Sequence, residues 1–147
     1  MAEAIKSFKG DYAFLSNFYP CTVEYEGMEY PSAEHAFQAA KTLDLEKRKS
    51  FSAYPSPAAA KRGGRRVKLR PDWEEVKIGI MKEIVRDKFT RNASDMDMKK
   101  ALLLTGEAYL EEGNNHNDRF WGAVKGVGRN ELGKILMEVR DELKGQP

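Results

Sequence analysis

Hydrophobic and polar positions alternate with a period of two only near the N-terminus. In CTVEYEGMEYP, Val23 and Tyr25 alternate with polar residues and Glu26-Gly27 offers a turn, so the stretch predicts a β-hairpin. Ahead of it, YAFLSNFYP is rich in aromatics and interrupted by Ser16-Asn17. From Ser32 the period lengthens. Pro31 precedes Ser32 as an N-cap, and AEHAFQAAKTL follows without a breaker, predicting a helix over 32–43. Ala33, Ala36, Phe37 and Ala40 fall at i, i+3, i+4 and i+7, on one face. A second helix fits 44–53, separate from the first or continuous with it. Ser56-Pro57 supplies a cap and a first position for a short helix that Gly63-Gly64 stops. Asp72 heads a long helix, WEEVKIGIMKEIVRDKFTRN, whose buried face carries Trp73, Val76, Ile80, Ile84 and Phe89. Ser94 or Asp95 caps a further helix through MKKALLLT, ended by Gly106. Asn130 caps the last, ELGKILMEVRDELK, with Leu132, Ile135, Leu136 and Val139 inward. The pattern predicts a mainly helical α+β fold. It predicts a single multihelical domain over 1–147 with a small N-terminal β element, without a linker or internal repeat.

Composition narrows the class. A chain of 147 residues with 41% hydrophobic and 33% charged residues is expected to be soluble and globular. Its net charge of +2 makes no global demand for nucleic acid or an anionic membrane. No apolar run approaches a membrane span, so no membrane partner is expected. The single cysteine, Cys21, excludes an internal disulfide, and with no signal-like start the expected setting is the reducing cytoplasm. His35 and His116 are the only histidines, which excludes a histidine-rich metal site. No cofactor and no metal are expected.

Three stretches carry candidate chemistry. On the helix at 32–43, Glu34, Gln38 and Lys41 sit at i, i+4 and i+7, setting a carboxylate, an amide and an amine in one row beside the apolar face. Such a row suits a cleft wall or a solvated charge pair, and the pattern leaves both open. From Pro57 to Arg70 the chain holds Lys61, Arg62, Arg65, Arg66, Lys68 and Arg70 without an acid. With Gly63-Gly64 inside it, this segment suits a phosphate, a nucleic-acid backbone or plain solvent. The third stretch is NNHNDRFWGAVKGVGRNELG, where Phe120 and Trp121 stand inside amide-rich and glycine-rich sequence. Asp118 lies just ahead of them, and Gly122, Gly126, Gly128 and Asn130 lead into a helix N-terminus, a candidate anion site. The glycine spacing is not that of a dinucleotide fingerprint.

Together these pieces resemble the NADAR (NAD and ADP-ribose associated) superfamily, which includes the YbiA-type N-glycosidases. The resemblance rests on FLSNFYP, YPSAEHAFQAAK, AAAKRGGRRVKLRPDWEEVK, IMKEIVRDKF, ALLLTGEAYLEE and NDRFWGAVKGVGRNELGKILMEVR, in the family's order from about Phe8 to Arg140. One departure is the last loop, often Trp-Gly-x-Gly in the family and WGAVKGVGRN here. The resemblance implies a mainly helical, YbiA-like fold with a few short strands and a pocket for a ribose-phosphate or ADP-ribose ligand. It implies cleavage of N-glycosidic bonds. One branch of the family acts on ribosylaminopyrimidine phosphates of riboflavin synthesis, and another removes ADP-ribose from modified guanine in nucleic acid.

Glu34, Lys41, Asp118 and Trp121 fall where the family carries functional residues, and Asn17 and Phe18 match its SNF motif. The chemistry suits them. N-glycoside cleavage develops oxocarbenium-like charge, and Glu34 would stabilise that charge or activate water. Lys41 would donate a proton or attack C1 of the opened sugar as an amine. Asp118 would orient a ribose hydroxyl or Lys41, and Trp121 would stack on the base. Arg65, Arg66 and Lys68, with backbone at Gly122 and Asn130, are the candidate phosphate contacts. The alternative function is a non-catalytic ADP-ribose or NAD-binding module. A nucleic-acid-binding protein using residues 61–70 is a third.

Overall fold

The computed structural model describes residues 3–91 and 97–145. In chain order the elements are β1 (Ala4–Ile5), a 3-10 turn (Gly10–Leu15), β2 (Val23–Tyr25), β3 (Met28–Tyr30), α1 (Ala33–Ala39), α2 (Leu45–Phe51), α3 (Pro57–Gly64), α4 (Trp73–Arg91), α5 (Met98–Leu104), β4 (Tyr109–Leu110) and α6 (Glu131–Lys144). They belong to two compact units, one of residues 17–92 and one of residues 1–16 with 93–147.

The 17–92 unit is built around α1. β2 and β3 pair antiparallel, with Val23 opposite Tyr30 and Tyr25 opposite Met28. Glu26 (φ 46) and Gly27 (φ 85) both take the left-handed conformation that a two-residue hairpin turn requires. The Asp87 carboxylate of α4 accepts from Glu24 N–H at 2.7 Å and ties the hairpin to that helix. Ser32 caps α1 as predicted, its Oγ accepting from His35 N–H at 3.1 Å. The His35 ring completes the cap. Nε2 lies 3.0 Å from the Tyr54 carbonyl, which only accepts, so Nε2 carries the proton and Nδ1 accepts from the Ser32 hydroxyl at 2.7 Å. Every residue from Ala33 to Ala40 is buried. Alanines at 33, 36, 39 and 40 keep α1 thin enough to sit at the centre of the unit, with Phe37 against Trp73 of α4 at 5.1 Å between ring centroids.

The structure departs from the periodic pattern at two points here. α1 ends at Ala39 rather than at residue 43, and of the two courses open for 44–53 the chain takes the separate helix, α2, capped by Asp44, whose Oδ1 accepts from Glu46 N–H at 3.0 Å. Arg70 closes α1 from outside, its N–H donating to the Lys41 carbonyl at 2.8 Å. Gly63 and Gly64 are the last residues of α3, and both are buried. A methyl group on Gly63 would overlap the Tyr54 hydroxyl, and one on Gly64 would overlap Gln38 Oε1. The pair is a packing surface as much as a helix stop.

In the other unit β1 runs parallel to β4, with Ala4 beside Tyr109 and Ile5 beside Leu110. α5 is capped by Asp97, whose Oδ1 accepts from Lys100 N–H at 3.0 Å; the caps expected from sequence, Ser94 and Asp95, lie outside the described residues. α6 buries Leu132, Ile135, Leu136 and Val139, the predicted face, and Leu143 with them. Asn130 stands at the cap position but does not cap through its side chain. Its Oδ1 accepts from Glu112 N–H at 2.9 Å and its Nδ2 donates to the Leu110 carbonyl at 2.8 Å, so it pins β4 to the start of α6. Its φ of 52 is one that asparagine tolerates better than most side chains. Asn130→Ala is expected to destabilise the protein by about 2–4 kcal/mol in urea unfolding, from the orphaned amide and carbonyl and the strained φ. A loss below about 0.5 kcal/mol, the usual range of surface substitutions, would mean that β4 is held by other contacts.

Candidate active site

Glu34 lies in the first turn of α1. Its side chain is buried, 8% exposed, and Oε2 accepts from Gln38 Nε2 at 2.6 Å across one helical turn. Its backbone N–H donates to the Asn17 carbonyl at 3.0 Å, which fixes the Ser16-Asn17 interruption against the helix start. The Asn17 side chain is buried too, with Nδ2 directed at Met81 Sδ at 3.4 Å and Oδ1 without a hydrogen-bond partner among the described residues. Phe18 beside it is exposed. Lys41 lies one residue beyond the cap of α1, its N–H bonded to the Gln38 carbonyl at 3.2 Å, so the predicted row of Glu34, Gln38 and Lys41 runs off the end of the helix. Lys41 is half-buried, and burial lowers its amine pKa from the ordinary lysine value. Glu34 opposes that shift, while Arg65, Lys61 and Lys77 add to it by disfavouring another cation nearby.

The basic segment divides into parts. Lys61 and Arg62 are helical, on α3; Arg65, Arg66 and Lys68 follow it and are exposed. Arg70 leaves the group, because its guanidinium grips Asp72 at 2.7 and 3.2 Å. Gly63 and Gly64, expected to admit a phosphate to the backbone, are instead filled by Tyr54 and Gln38.

In the other unit, Asp118 shapes the aromatic loop. Its Oδ1 accepts from Phe120 N–H at 3.1 Å and Trp121 N–H at 2.9 Å, while Asn114 brackets it by donating to the Asp118 carbonyl and accepting from its N–H. Phe120 meets Trp121 edge to face at 4.8 Å, and the Arg129 guanidinium lies 4.5 Å from the centre of the Phe120 ring. Trp121 is half-exposed. Gly122 is buried, and a side chain there would overlap Glu112. The expected anion site at the start of α6 is occupied by the chain itself. The N–H groups of Asn130, Glu131 and Leu132 donate to the carbonyls of Gly122, Phe120 and Trp121 at 3.1, 3.0 and 2.9 Å. The glycines of this loop serve a backbone knot, since the N–H groups that a phosphate would need are spent within it.

A family model for the NADAR domain matches residues 5–144. The chain belongs to the NADAR family. It is 40% identical over 140 residues to the N-glycosidase YbiA of Escherichia coli (strain K12), covering 93% of this chain and 85% of that protein. It is also 40% identical over 149 residues to a riboflavin biosynthesis protein of Vibrio vulnificus, covering 98% of this chain; the chain spans 40% of the length of that relative. The NMR structure of E. coli YbiA superposes with a TM-score of 0.83 at 37% identity, covering 98% of this chain and 87% of that one. The mainly helical fold with small β elements is therefore that of the family.

Two features of this NADAR chain escaped the sequence reading. Gln38 was placed in the polar row, but its contact with Gly64 joins residues 26 positions apart and leaves no local signal. Lys88 is 1% exposed and lies against the rings of Phe89 and Tyr19, at 5.1 and 5.9 Å from their centres; burial pushes its ammonium down to about 8. Here a signal existed, since Lys88 stands four residues after Ile84 on the buried face of α4. Among the described residues no group of three or more His, Cys, Asp or Glu side chains is placed to hold a metal ion. No helix among them is long and apolar enough to cross a membrane.

Proposed function

We propose that this NADAR-family N-glycosidase cleaves a phosphorylated ribosyl N-glycoside through the amine of Lys41, with Glu34 as its carboxylate partner. The observation that carries the reading is a half-buried amine, Lys41, within electrostatic reach of the buried Glu34 carboxylate; burial lowers the pKa of that amine. A lysine so shifted holds a larger fraction of free amine at neutral pH, which is the form that attacks carbon. The ribose ring opens as its oxygen takes a proton, and the cationic C1 is stabilised by the Glu34 carboxylate. The Lys41 amine adds to C1, and the base leaves with a proton on its nitrogen. Water then hydrolyses the resulting imine, releasing the sugar aldehyde and restoring the amine. The sum is substrate plus water giving free base and free sugar phosphate.

The ligand class is a small molecule containing ribose. Within it, a ribosylaminopyrimidine phosphate is the substrate we favour, supported by the name of the Vibrio relative. ADP-ribosylated guanine in nucleic acid is the competing substrate. Asn17 and Phe18 are proposed to contact the sugar and the exposed Arg65, Arg66 and Lys68 its phosphate. Within the 1–16/93–147 unit, taken by itself, Trp121 is proposed as a stacking surface for a base, with Asp118, Gly122 and Asn130 holding the loop that presents it. The expected setting is cytoplasmic. The deciding experiment incubates the protein separately with a ribosylaminouracil phosphate and with ADP-ribosylated guanine DNA and measures released ribose phosphate or ADP-ribose. Release from the first alone is expected, and release from neither contradicts the reading.

The phosphate assignment has its own test. Arg66→Ala is expected to weaken binding of the phosphorylated ligand about three- to tenfold and to flatten its salt dependence, as expected for an exposed charge-assisted contact. Its melting temperature should match that of the parent. Unchanged affinity in Arg65→Ala, Arg66→Ala and Lys68→Ala alike would make the segment a solvated loop.

A further inference from the structure

Gln38 is buried, 4% exposed, and its two polar atoms have different fates. Nε2 donates to Glu34 Oε2 at 2.6 Å, a short hydrogen bond of the charge-assisted kind. Oε1 has no hydrogen-bond partner among the described residues. It lies where a side chain on Gly64 would stand, so it faces the Cα hydrogens of that glycine at the end of α3. A weak Cα–H···O contact is what such a position offers a carbonyl oxygen. Turned round, the amide would point its NH2 at the Gly64 Cα, which accepts nothing, and its carbonyl at the Glu34 carboxylate, which repels it. The neighbours on both sides therefore select one orientation.

We propose that Gln38, set by its contact with Gly64, is a positioning residue that holds the Glu34 carboxylate ionised and in one rotamer for the reaction at C1. The inference rests on the glycosidase reading given above and assigns to α1 and α3 a joint role in it. A hydrogen bond donated to a carboxylate favours its charged form, and that form stabilises the cationic sugar. Gly64 has the role of an orienting surface. A methyl group there displaces the Gln38 amide and releases Glu34 without touching it.

The test combines kinetics with NMR. With a ribosylaminouracil phosphate as substrate, Gln38→Met, which keeps bulk and loses the donor, is expected to lower kcat roughly ten- to hundredfold, the worth of one hydrogen bond to a charged group. KM should stay within about twofold, because ground-state binding is not touched. The acidic limb of the rate profile should move to higher pH. Gly64→Ala should reproduce these changes, and Gln38→Ala with Gly64→Ala should be no slower than Gln38→Ala alone, since the methyl then meets only the Cβ of residue 38, at 3.2 Å, and no amide. In the ligand-free protein, the Gln38 side-chain amide should show one strongly downfield proton in 15N-edited spectra, lost in Gly64→Ala. Wild-type kcat and pH profile in a folded Gln38→Met protein would overturn the proposal; if Glu34→Gln is inactive in the same assay, the glycosidase reading survives that failure. If instead Glu34→Gln is fully active, Glu34 has no part in the reaction and the proposal falls, while the glycosidase activity itself stands. The NMR arm still decides the geometry, and a Gln38 amide unchanged by Gly64→Ala overturns it.

Discussion

Glu34→Gln should fold as the parent does and lose turnover by on the order of a hundredfold or more, the cost of removing one preorganised charge from a charge-developing step. The substitution is nearly isosteric. An amide at 34 can still face the Gln38 amide through its own carbonyl oxygen, so the hydrogen bond at 2.6 Å in the parent has a neutral successor. What disappears is the negative charge in a buried environment, where it counts most. Binding should change less than turnover, because the charge acts on the cationic state of the sugar more than on the neutral substrate. Circular dichroism, melting temperature and single-turnover rates on a ribosylaminouracil phosphate check the three parts together. Full activity in a folded Glu34→Gln protein removes Glu34 from the mechanism.

Lys41→Met is expected to do more, cutting turnover by a thousandfold or more, since a covalent step has no substitute once its nucleophile is gone. The pH dependence follows from the same amine. Burial, Arg65, Lys61 and Lys77 hold its pKa below the ordinary 10.5, and Glu34 opposes them. Attack needs the unprotonated amine, so the rate should rise with pH and level off below 10.5, the ordinary lysine value. Removing a nearby cation favours the ammonium, so Arg65→Ala should move that rise to higher pH. Glu34→Gln should move it to lower pH. A profile indifferent to both substitutions would mean that another group is titrating. Lys41→Arg keeps the positive charge but is no nucleophile at these pH values, so it should be as inactive as Lys41→Met.

The parts of the fold that were legible in the sequence are those decided by neighbours. Glu26-Gly27 sets the hairpin turn, Ser32 caps α1, Ser56 caps α3, and the apolar face of α6 follows from its period alone. The parts that were not legible are decided from far away. Nothing in AEHAFQAAKTL breaks a helix, and α1 ends where Arg70, 29 positions after Lys41, captures the Lys41 carbonyl. Asn130 has the residue type of a cap, but its side chain bonds residues 110 and 112. Gly63-Gly64 has the look of a stop or a phosphate cradle, and Tyr54 and Gln38 fill the space that the absent side chains leave. In the candidate site, spacing sets Glu34, Gln38 and Lys41 in one row, of which α1 carries only the first two. The burial of Glu34 and Gln38 is set by the packing of α1, whose alanines read as ordinary helix formers.

The central claim is that the Lys41 amine bonds to C1 of the sugar. Borohydride added during turnover of a ribosylaminouracil phosphate reduces an imine to a stable secondary amine, and peptide mass spectrometry then locates it. The expected result is a ribose-phosphate adduct on the peptide containing Lys41, absent without substrate and absent in Lys41→Arg. A protein that turns over its substrate, yields no adduct under borohydride and keeps most of its activity as Lys41→Arg would contradict the claim and leave Lys41 as a charge or hydrogen-bond donor only.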